Sequence, residues 1–269
     1  MLDWRAAGSM QRAGETVYAV VLLLAACCPL LAQEAAPPQT VSVIVPVVGN
    51  TDGPNNMRWK TDIELHNDLR TEATVSLALP TAPDQPAIIT TIPPGQTVRF
   101  PDIVGQTFGF ERVLSPLVVE TMGRRSVTIR ATAYGMRGTE IFQPQPISIN
   151  YQSGVASPLR MLNGLSFSDT YRTNIGLANL GSEPATFTLA LQRLANRNVA
   201  ISRIPVAPNT LYHIAIQTLF PLITAGDDFS IIVEGSSPDT YVYASVIDNE
   251  TNAAHFVQPL IAPATTASR

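Results

Sequence analysis

The chain has 269 residues with 17 basic against 21 acidic, a formal net charge of -4, so it has room for two ordinary domains after removal of a leader and offers no electrostatic footprint for nucleic acid. Charged residues are 14 %, below the roughly 25 % of soluble globular chains, and 22 prolines stand among many Val, Ile and Thr, a balance that suits strands and turns better than helices. Lys60 is the only lysine.

Residues 1–32 read as a signal peptide. Arg5 and Arg12 precede an apolar run over 17–26 that is too short to span a bilayer comfortably, and Leu30-Leu31-Ala32 satisfies the small-residue rule for cleavage before Gln33. The expected product is secreted, periplasmic or extracellular, and begins in a Pro-rich linker over 33–40. The alternative is Leu24-Ala25-Ala26-Cys27, which resembles a bacterial lipobox and would make Cys27 the lipid-bearing first residue of a membrane-anchored lipoprotein. Both cysteines, Cys27 and Cys28, lie in this segment. A chain cut after Ala32 therefore has no disulfide available and is held by packing alone.

The next stretch organises the rest. Trp59-Lys60-Thr61-Asp62-Ile63-Glu64-Leu65-His66-Asn67 returns as Tyr171-Arg172-Thr173-Asn174-Ile175-Gly176-Leu177-Ala178-Asn179, a step of 112, and the run 73–79 meets 185–191 at the same step. In both copies the ring, Thr, Ile, Leu and Asn occupy alternate positions, which places them on one face of an extended strand. In the first copy strands are expected at 41–48, 59–67, 73–79, 87–92, 97–100, 117–121, 127–134 and 139–142, separated by turns such as Pro93-Pro94-Gly95. Six to eight short strands in about 110 residues is a sandwich pattern. The segments 102–108 and 215–220 carry apolar residues nearer to helical spacing, and each is read as one helical turn across the open end of a sandwich. The expected organisation is an all-β chain of two tandem Ig-like antiparallel β-sandwiches, over 41–150 and 155–262, with a crossing over 143–157 and a flexible tail over 263–269.

Val45-Pro46-Val47-Val48-Gly49, Arg58-Trp59-Lys60-Thr61-Asp62, Asn67 and Pro93-Pro94-Gly95-Gln96-Thr97, with their second-copy partners Arg172-Thr173-Asn174-Ile175 and Pro184-Ala185-Thr186, resemble a repeated immunoglobulin-like module of uncharacterised secreted bacterial proteins. The resemblance implies a fold and no catalytic role. It also marks a departure at Ala207-Pro208-Asn209, where Asn stands in place of the expected Gly and a different turn is expected.

Several polar groups are candidates for chemistry. Asp62, Glu64 and His66 alternate on one strand face and are the residue types of a metal site or an acid–base pair, but the second copy has Asn174, Gly176 and Ala178 there, so a solvated outer face is expected. His213, aligned with Phe100, and His255 sit in no nucleophile motif, and no G-x-S-x-G occurs. The oxygen-rich loops 50–56, 227–228 and 248–250 hold possible calcium ligands without EF-hand spacing, and Arg124-Arg125 reads as a solvated hairpin tip. No catalytic, cofactor or metal residue is assigned. The expectation is a secreted or envelope structural, adhesive or protein-binding module that meets an unknown protein or glycan at the cell surface. A calcium-dependent carbohydrate binder or a small hydrolase on the same scaffold is the alternative.

Overall fold

In the computed structural model, the described residues are 40–53, 56–122, 127–147, 150–151, 159–193 and 199–261. The signal peptide and linker, Cys27, Arg124-Arg125 and the tail lie outside them. In the first half the strands are β1 (Thr40–Asp52), β2 (Arg58–Asn67), β3 (Ala73–Ala78), β4 (Ile88–Ile92), β5 (Thr97–Phe100), β6 (Val113–Met122), β7 (Val127–Arg137), β8 (Glu140–Ile147) and β9 (Asn150–Tyr151). The second half has β10 (Leu159–Phe167), β11 (Tyr171–Asn179), β12 (Ala185–Arg193), β13 (Val199–Val206), β14 (Thr210–Ala215), the single turn α1 (Ile216–Leu219), β15 (Gly226–Gly235), β16 (Thr240–Asp248), β17 (Ala254–Val257) and β18 (Leu260–Ile261).

Among the described residues all strand pairings are antiparallel, and the two halves use the same strand order. In the second half one layer runs β13-β12-β15-β10-β18 and the other β14-β11-β16-β17. The first half repeats this as β4-β3-β6-β1-β9 and β5-β2-β7-β8, with one difference: β1 is long enough to join both layers. Its start pairs with β6 from Thr40, the register shifts between Val45 and Val48, and Asn50–Asp52 then pair with β2. A bulge of this kind bends the strand so that one element serves two layers. The chain is thus two tandem Ig-like antiparallel β-sandwiches, each with one short helical turn. The described residues all belong to one compact unit.

The repeated strand explains itself residue by residue. Ile63, Leu65, Ile175 and Leu177 are fully buried and sit in the two apolar cores. Asn67 and Asn179 are fully buried as well. The Asn67 side chain donates to the carbonyls of Thr71 (2.8 Å) and Ile92 (2.9 Å) and accepts from the Leu69 N–H (3.0 Å). Asn179 does the same with Glu183 (2.8 Å), Val206 (3.1 Å) and Gly181 (3.0 Å). Each carboxamide ties the end of one strand to the loop after it and to a strand of the opposite layer. The recurring Thr is a second link between consecutive strands: Thr61 Oγ1 accepts from the Gly49 N–H (3.0 Å), and Thr173 Oγ1 donates to the Ser166 carbonyl (2.6 Å). The ring differs from expectation. Tyr171 is 37 % exposed and Trp59 half-buried, because the strand outruns the core at its first residue.

Three further details depart from the sequence reading. Residues 143–147 and 150–151, assigned to the crossing, are strand; Pro144 and Pro146 are tolerated because β8 is an edge strand, bonded among the described residues only to β7. The first helical turn, Ile103–Thr107, is π-helical and capped by Asp102. The turn at Asn209 does not differ from its counterpart: Asn209 has φ 51° and Gly95 φ 66°, since Asn is the residue after Gly that best tolerates left-handed backbone.

Replacing Ile63 or Ile175 with Ala is expected to cost about 2 to 5 kcal/mol in chemical denaturation. Glu64→Ala, on a half-exposed side chain whose nearest Arg contacts are 3.8 Å, should cost under about 1 kcal/mol. Asn67→Ala, which strands the buried Ile92 carbonyl and unties the partly buried Thr71 carbonyl and Leu69 N–H, should cost about 2 kcal/mol. Equal losses for Glu64→Ala and Ile63→Ala would reverse the facing of β2.

Candidate functional site

Strand alternation puts Lys60, Asp62, Glu64 and His66 on the outer face of β2, where solvation was expected. Asp62 is instead only 8 % exposed. The turn that follows β5 folds over it: Asp62 Oδ1 accepts from the Asp102 N–H (2.8 Å), and Oδ2 accepts from Arg99 (2.6 Å). Asp102, at φ 44° and 3 % exposed, accepts from the Gly105 N–H (3.0 Å) and from Asn50 Nδ2 (3.4 Å), and holds Lys60 Nζ at 2.7 Å. Asn50 accepts in turn from Arg58 Nε. Burial, with a hydrogen bond to Asp62, pushes the Tyr134 phenol well above its ordinary range. Two carboxylates, three cations, a phenol and a carboxamide thus form one interlocked cover over the end of the first sandwich.

The other proposed ligands are dispersed. Glu64 lies 3.8 Å from both Arg99 and Arg130, and His66 contacts Thr97 (2.9 Å) and Asp68 (3.5 Å) rather than the Asp62 cluster. In the loop read as a calcium candidate, Asp52 pairs with Arg112 (2.9 Å), Asn50 belongs to the cover, and residues 54–55 lie outside the described residues. Asp228 pairs with Arg193 (2.8 Å). Asp248 accepts from the N–H groups of Thr251 (2.7 Å) and Glu250 (2.9 Å), which hold its carboxyl below the usual range. That makes it a turn former. Among the described residues no group of three or more His, Cys, Asp and Glu side chains is placed to hold a metal ion.

Two concavities accompany these elements. One, of about 400 Å³, is a shallow groove beside the cover, bordered by Asp62, Glu64, Arg99, Thr132 and Tyr134. The other is a cleft of about 300 Å³ between the two sandwiches. Its first-half wall includes Val47, Leu114 and Ile147; the opposite wall is the outer face of β14-β11-β16-β17, with Arg172, Asn174, His213, Tyr243, Ser245 and Phe256.

Sequence reasoning missed this face because its defining residue is a glycine. Gly176 makes room for the Tyr243 ring, which crosses β11 above it: a Cβ on Gly176 would stand 2.0 Å from Tyr243 Cε1 and 2.2 Å from Cζ. Tyr243 also forms the centre of an aromatic row, with ring centroids 6.0 Å from His213 and 5.2 Å from Phe256. The His213 alignment is corrected as well. Pairing of Gly176 with His213 and of Glu64 with Arg99 makes His213 the partner of Arg99, not of Phe100. A slip of one residue moves a strand side chain to the opposite face, so His213 points away from the core.

Comparison with protein-family models finds no match, and comparison with curated proteins finds none. Among solved structures the chain aligns with Bacteroides uniformis β-glucuronidase 2 covalently bound to cyclophellitol-6-carboxylate aziridine, at 11 % identity and a TM-score of 0.17, covering 76 % of this chain and 25 % of that one. A calcium binding mutant of the same enzyme gives 10 %, 0.17, 79 % and 27 %, and a crystal structure of Bacteroides uniformis β-glucuronidase gives 10 %, 0.18, 76 % and 25 %. The chain spans about a quarter of the length of these proteins. At TM-scores this low the likeness transfers neither activity nor ligand.

Asp102→Ala removes the acceptor of Lys60, Asn50 and the Gly105 N–H together and is expected to cost about 3 kcal/mol, the lower end for breaking a buried pair, because Lys60 keeps some solvent. Asp228→Ala, whose ion pair with Arg193 is partly exposed, should cost no more than about 1 kcal/mol. Denaturant titrations of the two variants compare them directly.

Proposed function

We propose that this chain is a secreted or cell-envelope structural or protein-binding module without catalytic activity, built as a rigid pair of sandwiches that presents an open strand edge. The observation that carries this reading is β4. Among the described residues it is bonded only to β3, and it has the sequence Ile88-Ile89-Thr90-Thr91-Ile92 with no charge and leaves Ile89 72 % exposed. An uncharged edge strand of β-branched residues is a template for an added strand, with backbone hydrogen bonds giving affinity and alternate side chains giving specificity. Export follows from the leader read in residues 1–32, and the kinship of the repeat with Ig-like modules of uncharacterised secreted bacterial proteins belongs to the same reading. The polar groups that would have served catalysis or calcium are engaged in local structure: Asp62 and Asp102 in the cover, Asp248 in its turn.

The test is capture of a protein from a native envelope fraction by the immobilised chain. Ile89→Lys places a charge on the edge and should abolish capture while leaving stability within about 0.5 kcal/mol, as for an exposed substitution. Undiminished capture by Ile89→Lys removes β4 from the reading. Calorimetric titration with calcium or zinc is expected to give no stoichiometric heat; a heat abolished by Asp62→Ala or Asp52→Ala would favour the calcium-dependent carbohydrate binder instead.

A further inference from the structure

β4 in the first half and β13 in the second are edge strands at equivalent positions, and only one of them is guarded. Ile89 pairs with Ser76 and Thr91 with Thr74 in β3; Arg203 pairs with Thr188 and Pro205 with Thr186 in β12, the same register moved by the repeat step of 112. All four of these edge residues are exposed. A charge and a proline are devices by which a strand edge resists pairing with another chain. β13 has both, exactly where β4 has isoleucine and threonine.

The second half also shows which backbone groups of β4 point outward. The Thr186 N–H donates to Ser236 Oγ (2.8 Å), and the Thr186 carbonyl accepts from the Ser236 N–H (2.9 Å). Thr186 and Pro205 therefore exchange no backbone bond, and Pro205 stands where the N–H it lacks would face solvent. Equal register gives the same outward direction to Thr91 and, two residues earlier, to Ile89. Their N–H and C=O groups form the open ladder of β4.

This ladder is complementary to itself. A two-fold axis through Thr90 sets Ile89 against Thr91 of a second chain and Thr91 against its Ile89, and each of these pairs exchanges both backbone bonds. The same axis places Ile88 opposite Ile92 and Thr90 opposite Thr90, β-branched pairs that stabilise adjoining strands. Like charges, the usual obstacle to pairing a strand with its own sequence, are absent from β4. Pro86 and Pro93 bracket the strand and confine pairing to this short register. Pairing of β4 with β13 of another chain would be heterologous and could add copies without end; Arg203 and Pro205 oppose it. We propose that β4 is the interface of a symmetric dimer, in which two copies of this chain pair antiparallel through Ile88–Ile92. The inference rests on the reading of β4 as a strand template and names its occupant.

Analytical ultracentrifugation of the purified chain tests this, in reductant so that Cys27 and Cys28 cannot link copies. The expected result is a dimer at about 100 μM that dissociates on dilution, as a small transient interface does. Ile89→Arg with Thr91→Pro gives β4 the two residues of β13 and should weaken the dimer at least about tenfold, through the two Thr91 N–H bonds lost across the axis. Ile89→Arg alone, on an exposed side chain, keeps the test open should the proline variant fail to fold; it sets two like charges diagonally across the axis and should also weaken the dimer. The proposal is overturned if the chain is monomeric at that concentration, or if the folded variants dimerise as tightly as the parent. No envelope protein is present in this assay, so a monomer overturns the second-chain assignment alone. The template reading itself falls only on undiminished envelope capture by Ile89→Lys.

Discussion

Each sandwich depends on one buried carboxamide. Apolar faces bring two layers together without fixing where they meet, because hydrophobic burial is non-directional. Asn67 and Asn179 supply direction. Each offers one oxygen to an N–H two residues ahead and one NH₂ to carbonyls on both the following loop and a distant strand. Left unmade, these bonds would leave the Ile92 and Val206 carbonyls buried and unpaired, so the carboxamide sets the height at which the layers lock and the path of the loop between them.

The copies share this lock and differ on the outer face of the same sheet. In the first, Lys60, Asp62 and Arg99 are bound up with Asp102 in a polar cover. In the second, the equivalent face presents Asn174, Gly176 and Ala178, and Ala215 stands across from Asn174. A face with small residues and few charges accepts a neighbouring domain at little desolvation cost, and the first sandwich is that neighbour, with Ile44 and Val118 packed against Ala178 and Tyr241. The charged face is unsuited to the same use, which gives the pair a polarity: one copy receives, the other is received.

The repeat step and the alternation in β2 and β11 were enough to read the sandwich architecture and the Ile and Leu of the core, because period-2 patterning reports directly on which side of a strand is buried, and helical spacing of apolar residues marked both short turns. Reading stopped where tertiary structure reassigns a face. Asp62 looks solvated in its own strand and becomes buried only when Asp102, forty residues later, folds over it. Tyr243 reads as one more aromatic strand residue, and nothing local says that Gly176, on a different strand, is the floor beneath it. The turn at Asn209 was misread for the opposite reason: two residue types satisfy one backbone geometry.

Lys60, the only lysine of the chain, lies in β2 between pairings to β1 and β7 and holds Asp102. A lysine-specific protease therefore has a single scissile bond here, after a residue whose backbone must leave an extended sheet before it can enter an active site. Cutting at that bond reports local opening of β2 rather than general surface access. The chain has in effect one built-in reporter for the integrity of its first sandwich, read as a single cut after Lys60.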